Sequence, residues 1–141
     1  MIEKLKANAL TLLLVGMVVL AAVIMFSRSG GGGVTVNVKV PNFSSVALAG
    51  EPLFNANCAA CHGANAGGSD KAPPLIHTTY NPGHHADEAF FRAVENGVRA
   101  HHWKFGNMPR MDVPRPDIAK IIAYVRELQQ ANGIVTKPHN M

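Results

Sequence analysis

Cys58-Ala59-Ala60-Cys61-His62 is the segment of this chain best equipped for chemistry: two thiols separated by two residues, with an imidazole directly behind them. Three kinds of site use such a pair. A dithiol redox centre of the thioredoxin type needs a surrounding βαβ pattern, and none is present. A zinc site needs further ligands at short regular spacing, and there is no second C-x-x-C. The full C-x-x-C-H run is the attachment signature of a c-type haem. In a helical turn the two-residue gap sets both sulfurs along one edge of a porphyrin, and His62 then faces the iron from one side.

Iron in an electron carrier takes a second axial ligand, and a methionine thioether raises the reduction potential. Two candidates lie together in Gly106-Asn107-Met108-Pro109-Arg110-Met111. Met108 is preferred because the flanking Gly and Pro define a stiff turn that can hold sulfur at a fixed distance, with Met111 as the alternative. A histidine in place of Met108 would give a bis-histidine haem of low potential.

These residues must be positioned by a small scaffold. At 141 residues the chain has room for one core of ordinary size, and two cysteines exclude a dense disulfide framework. The net charge of +4, histidines neutral, is too mild to imply nucleic-acid binding. Ile118, Ile121, Ile122, Val125 and Leu128 form a stripe at helical spacing, with Pro116 near the start and Gly133 past the end. Phe90, Phe91 and Val94 repeat at the same period within a second helix over 86–96, which Asn96-Gly97 would stop. Those aromatics would fill core around the haem, and Trp103 could offer its indole N–H to a propionate or simply be buried.

Ahead of this region, Ala7 to Phe26 is a run of 20 residues without a charged side chain, which at about 1.5 Å per residue covers a bilayer core of roughly 30 Å. Lys4 and Lys6 precede it and Arg28 follows, so the positive-inside rule places the N-terminus in the cytoplasm and the rest outside. A cleaved signal peptide with a poor site at Ser27-Arg28-Ser29 is the competing reading. Gly30 to Gly33 would be a flexible spacer. Val34 to Val40 alternates apolar and polar residues, which predicts a half-buried strand ended by Pro41, lying on its own domain or pairing with another chain. The expected organisation is a cytoplasmic N-terminus and transmembrane anchor (1–29), a Gly-rich linker with a short strand (30–45), a haem domain (46–135) and a tail (136–141).

From about Val46 to Ile134 the sequence resembles the class I monohaem cytochromes c of bacterial electron-transport chains. Gly50-Glu51-Pro52-Leu53-Phe54 is similar to that family's first helix, and Gly106-x-Met108-Pro109 to its distal-ligand motif. Ala72-Pro73-Pro74-Leu75 resembles the loop whose proline carbonyl accepts a hydrogen bond from the proximal histidine and whose leucine packs on the haem. The resemblance implies an all-α cytochrome c-like domain carrying one covalent haem c. Cys58 and Cys61 would be the attachment points, His62 and Met108 the iron ligands, and Pro73 and Leu75 the supporting contacts. On that pattern Tyr124 lies where the last helix meets the Gly50 helix.

The implied function is single-electron transfer on the outer face of the cytoplasmic membrane, with redox proteins and the bilayer as partners and no catalysis. A cytochrome subunit of a larger oxidase or dehydrogenase, a gas-sensing haem protein and a copper-handling protein are the alternatives. Five basic residues between Arg92 and Arg115 (Arg92, Arg99, Lys104, Arg110, Arg115) could steer an acidic partner or form an ordinary solvated face. His84-His85 and His101-His102 flank one predicted helix and could approach each other. They have no acidic or thiolate partner in sequence, so the plainer reading of these residues, and of His77 and His139, is surface and propionate-side histidines.

Overall fold

The computed structural model describes residues 2–28 and 33–136. The chain divides into two compact units, Met1–Gly32 and Gly33–Met141. Helix α1, Ile2–Arg28, makes up the first. Its side chains are described from residue 11 to 25, and Leu12, Leu13, Met17, Val18 and Met25 are all well exposed. Among the described residues no helix is long and apolar enough to cross a membrane. Gly30 to Gly32 and His139 lie outside the described residues.

The second unit is mostly helical, as expected. Helix α2, Ser45–Asn57, starts where the Ser44 hydroxyl accepts the Ala47 N–H at 3.3 Å, satisfying one of the free donors of a helix start. Ser44 is itself held by Glu127, which accepts its hydroxyl at 2.6 Å and its N–H at 2.9 Å. The short α3, Ala59–His62, follows α2 directly. Helix α4, Asp87–Asn96, covers the predicted segment, with Ala86 as its N-cap rather than its first residue. Helix α5, Arg115–Ala131, carries the apolar stripe and has a proline in its first turn.

Two core clusters divide that stripe. Ile121, Tyr124, Val125 and Leu128 pack with Ala47, Phe54, Ala66 and Ile76, while Ile118 and Ile122 pack with Val94. Fully burying each large side chain contributes about 1.5–3 kcal/mol, so α5 is the main source of core stability. Helix α2 crosses α5 at Gly50, where a β-carbon would come within 2.0 Å of the Lys120 carbonyl oxygen. Only glycine lets the two backbones approach so closely. The tightest contact is thus at Lys120, one turn before Tyr124, whose ring meets Phe43 and Phe54 at centroid distances of 5.0 and 5.4 Å.

The expected strand at Val34–Val40 is not formed. Among the described residues the segment has no strand partner, and its one backbone–backbone hydrogen bond to the domain runs from Val36 N–H to Gly67 O at 2.8 Å. Asn132 supplies the rest, accepting from Lys39 N–H and donating to Lys39 O, both at 2.8 Å. Val36 and Val38 face the core while Val34 and Val40 are exposed. Alternation therefore reports one buried side correctly, but an extended chain becomes a strand only when a second chain offers a ladder. The one β-bridge among the described residues joins Val98 and Met108, where no strand was expected.

Candidate functional site

Cys58 sits at the junction of α2 and α3, its N–H bonded to Phe54 O at 2.8 Å. Cys61 N–H and His62 N–H both return to Cys58 O, at 3.1 and 2.9 Å, so the five-residue motif is one closed turn. Spacing of i, i+3 puts the two sulfurs on the same side of that turn. Both cysteines are free: Cys58 is half-buried and Cys61 exposed. Burial, with a smaller contribution from the neighbouring Cys61, pushes the Cys58 thiol up to about 11.

His62 is fixed by its side chain. Its Nδ1 lies 2.9 Å from Pro73 O. A carbonyl can only accept, so Nδ1 carries the proton and Nε2 keeps its lone pair for a metal. Burial lowers the His62 pKa and the Pro73 contact raises it in part, the net shift being downward, towards the neutral form that ligates iron. The loop between them folds back on the turn through Gly68 N–H to His62 O at 2.7 Å and Leu75 N–H to Ala66 O at 2.8 Å. The Ser69 hydroxyl also donates to Cys61 O. Asn65 and Ala66 take left-handed backbone angles, with φ of 51° and 59°, a conformation costing non-glycine residues about 1–2 kcal/mol. Asn65 gains a bond in return, accepting the Tyr124 hydroxyl at 3.1 Å.

Sequence reasoning missed what holds the Leu75 and Tyr80 carbonyls in place. Gln129, wholly buried on α5, donates Nε2–H to Leu75 O at 2.8 Å and to Tyr80 O at 3.1 Å. Its Oε1 accepts from Arg126 at 2.7 Å, and Arg126 also donates to Tyr80 O and His85 O and pairs with Asp87. The only sequence signal was a polar residue directly following Leu128, at the edge of the apolar stripe.

Met108 is held by its backbone. Its N–H donates to Val98 O at 3.0 Å and its carbonyl accepts from Val98 N–H at 2.9 Å. Gly97, at φ +77°, ends α4 beneath this bridge, where a β-carbon would fall 2.6 Å from Met108 O. Met111 N–H donates to Val94 O at 2.8 Å. Both methionines are half-buried against Val94, Ile118 and Ile122, whereas Cys58 and Leu75 pack against the other cluster. Phe90 and Val113 touch both clusters and so join the two sides of the site.

Trp103 completes the set. Its indole nitrogen is buried and has no hydrogen-bond partner among the described residues. The Tyr80 hydroxyl is near enough to feel it, and burial, partly offset by that indole, raises the Tyr80 pKa. Of the five basic residues, Arg115 is occupied, pairing with Glu95 at 2.6 Å and Glu88 at 3.1 Å and lying 4.2 Å over the Phe91 ring. Arg92, Arg99, Lys104 and Arg110 are exposed.

The donor set fits a covalently attached haem: two free thiols on one turn and an adjacent imidazole with its outer nitrogen unprotonated. A family model described as Cytochrome c matches residues 47–129. No curated protein and no solved structure matches the chain.

Proposed function

Because this chain belongs to the cytochrome c family and carries haem c with its iron, covalently bound and used for electron transfer, we propose that it is a monohaem carrier of single electrons, anchored on the outer face of the cytoplasmic membrane. Bound haem c supplies a one-electron ferric/ferrous couple. Cys58 and Cys61 fix its position through thioether links. His62 ligates the iron through Nε2 and is kept in orientation by its Nδ1–H bond to Pro73 O. Met108 is the second ligand, and Leu75, with the side chains around Phe90 and Val113, excludes water from the metal. Rigid ligands and a dry site limit the rearrangement that accompanies each electron. The family suggests a carrier rather than an enzyme, with redox proteins as partners. An acidic partner would suit the exposed Arg92, Arg99, Lys104 and Arg110.

The observation that carries this reading is the 2.9 Å contact from the imidazole of C-x-x-C-H to Pro73 O, which leaves the other ring nitrogen for iron. Support for the anchor is the uncharged run Ala7 to Phe26 with Lys4 and Lys6 ahead of it. A haem-stained denaturing gel of membrane and soluble fractions tests both parts. The full chain should give a stained band in membranes, and the Cys58→Ala/Cys61→Ala double variant should give none. A band retained by the double variant overturns the attachment, and a wild-type band confined to the soluble fraction overturns the anchor.

A further inference from the structure

Four histidines that take no part in the haem-binding turn meet on the domain surface. The loops before and after α4 carry His84-His85 and His101-His102, and the fold brings these pairs together. Ring centroids are 4.6 Å apart for His84 and His85, 5.3 Å for His84 and His102, and 5.2 Å for His85 and His102. One ring nitrogen from each of these three residues lies within 4.8 Å of the other two. His101 adjoins the group, with its ring 4.2 Å from that of His102.

We propose that His84, His85 and His102 form a second metal site, which takes one divalent first-row transition-metal ion and holds Cu(II) most tightly. His85 is built for the part. Its Nδ1 is 2.8 Å from Thr79 O, so that nitrogen carries the proton and Nε2 is left as the donor atom. This is the arrangement in which a backbone carbonyl orients a ligating imidazole. Its backbone is clamped as well, the N–H donating to Asn81 O at 2.8 Å and the carbonyl accepting from Arg126. The same Asn81 carbonyl accepts from His84 N–H at 3.0 Å, so the pair rides on one closed turn. His101 is oriented in the same manner, its Nδ1 2.8 Å from Arg99 O, and stands ready as a fourth ligand.

Chemistry selects the ion. The three donors are all imidazole, with no carboxylate among them, which suits copper, nickel and zinc and not magnesium or calcium. Among divalent ions the affinity order peaks at copper. Bonds of about 2.0–2.1 Å place adjacent ligand nitrogens roughly 2.9 Å apart around a square-planar ion and roughly 3.3 Å around a tetrahedral one, so rotations of the exposed His84 and His102 rings close the site. His77 is excluded although it is nearby. Its Nδ1 accepts from Thr79 N–H at 3.2 Å, and its ring packs edge-on against Trp103 at 5.0 Å.

The test is equilibrium dialysis of the ferric, haem-loaded full chain without an affinity tag, against Cu(II) and separately Zn(II), with metal analysis of the retained protein. One Cu(II) per chain should be retained, showing nitrogen hyperfine structure in its paramagnetic resonance spectrum, and Zn(II) should bind more weakly. His85→Ala and His102→Gln should each weaken Cu(II) binding by at least about tenfold, whereas His77→Ala should not. The haem absorption spectrum reports folding of each variant. Should His85→Ala lose that spectrum, the exposed His102→Gln decides alone. No retained copper, or equal retention by His102→Gln and the unchanged chain, overturns the proposal. Either result leaves the haem reading intact, since that is judged from the absorption spectrum.

Discussion

The His62 side and the Met108 side of the haem site are held by different means. On the first, the ligand's side chain is itself fixed, through Nδ1 to Pro73 O at 2.9 Å. On the second, only the backbone is fixed, by the two hydrogen bonds between Met108 and Val98. The reason lies in the ligand atoms. An imidazole has a second nitrogen that can be tied down while the first binds metal, but a thioether has no donor and is only a weak acceptor. A methionine must therefore be aimed by its main chain and its packing. The histidine side should tolerate loosening of its surroundings with ligation intact, and the methionine side should depend on a single residue in a single place.

The sharpest break in that comparison is Met108→Ala. On the proposed ligation it should abolish the methionine-to-iron charge-transfer band in the far-red absorbance and lower the reduction potential by a sizeable part of the roughly 0.8 V that axial ligands govern. Met111→Ala should keep the band, because Met111 is tied to Val94 at a different place. The opposite outcome would move the distal ligand to Met111.

Gln129→Leu tests the other side and should cost less. The change leaves Leu75 O without its buried donor, leaves Tyr80 O with Arg126 as its donor, and takes an acceptor from Arg126. Unsatisfied groups of this kind cost about 1–3 kcal/mol each, with some recovery by water, so unfolding in denaturant should show a loss of about 2–3 kcal/mol. The absorbance bands of iron ligation should not change at neutral pH, because Pro73 O is held through its own loop and not by Gln129. A lost far-red band in this variant would show that the two sides are coupled through α5.

How far the site could be read in the sequence follows from how local each part is. Cys58, Cys61 and His62 were legible because one helical turn fixes their relations, with no help from the rest of the fold. The α5 stripe was legible because helical period and core-facing side chains are the same fact. Met108 was preferred to Met111 on its Gly and Pro flanks, but the bridge that ties Met108 to Val98, ten residues away, is announced by no periodicity. Val34–Val40 misled for the same reason: alternation records a buried side and is silent about a pairing strand. Gln129 was invisible because a glutamine at the edge of an apolar stripe is ordinarily solvated. The approach of the two histidine pairs was open as a possibility, but only the closed turn at Asn81 and the Arg126 clamp give it a geometry.

A weaker effect distinguishes side-chain support from backbone support on the histidine side itself. The buried Tyr124 hydroxyl donates to Asn65, in the strained turn that follows His62. Burial, and to a lesser degree the nearby Glu51 carboxylate, pushes its pKa up to about 12 from an ordinary value of 10.0. The folded state therefore holds this proton more tightly than the unfolded chain. The stabilisation from Tyr124 is fully present below about pH 10 and is lost as pH rises through about 12. Tyr124→Phe removes the titrating group together with one hydrogen bond worth about 0.5–1.5 kcal/mol. At pH 8 the variant should be less stable than the unchanged chain by about that amount, and the gap should narrow steadily between pH 10 and 12. Denaturant unfolding at intervals across that range would read the convergence. If the two stability curves instead ran parallel to pH 12, the Tyr124 proton would be no more tightly held in the folded chain than in the unfolded one.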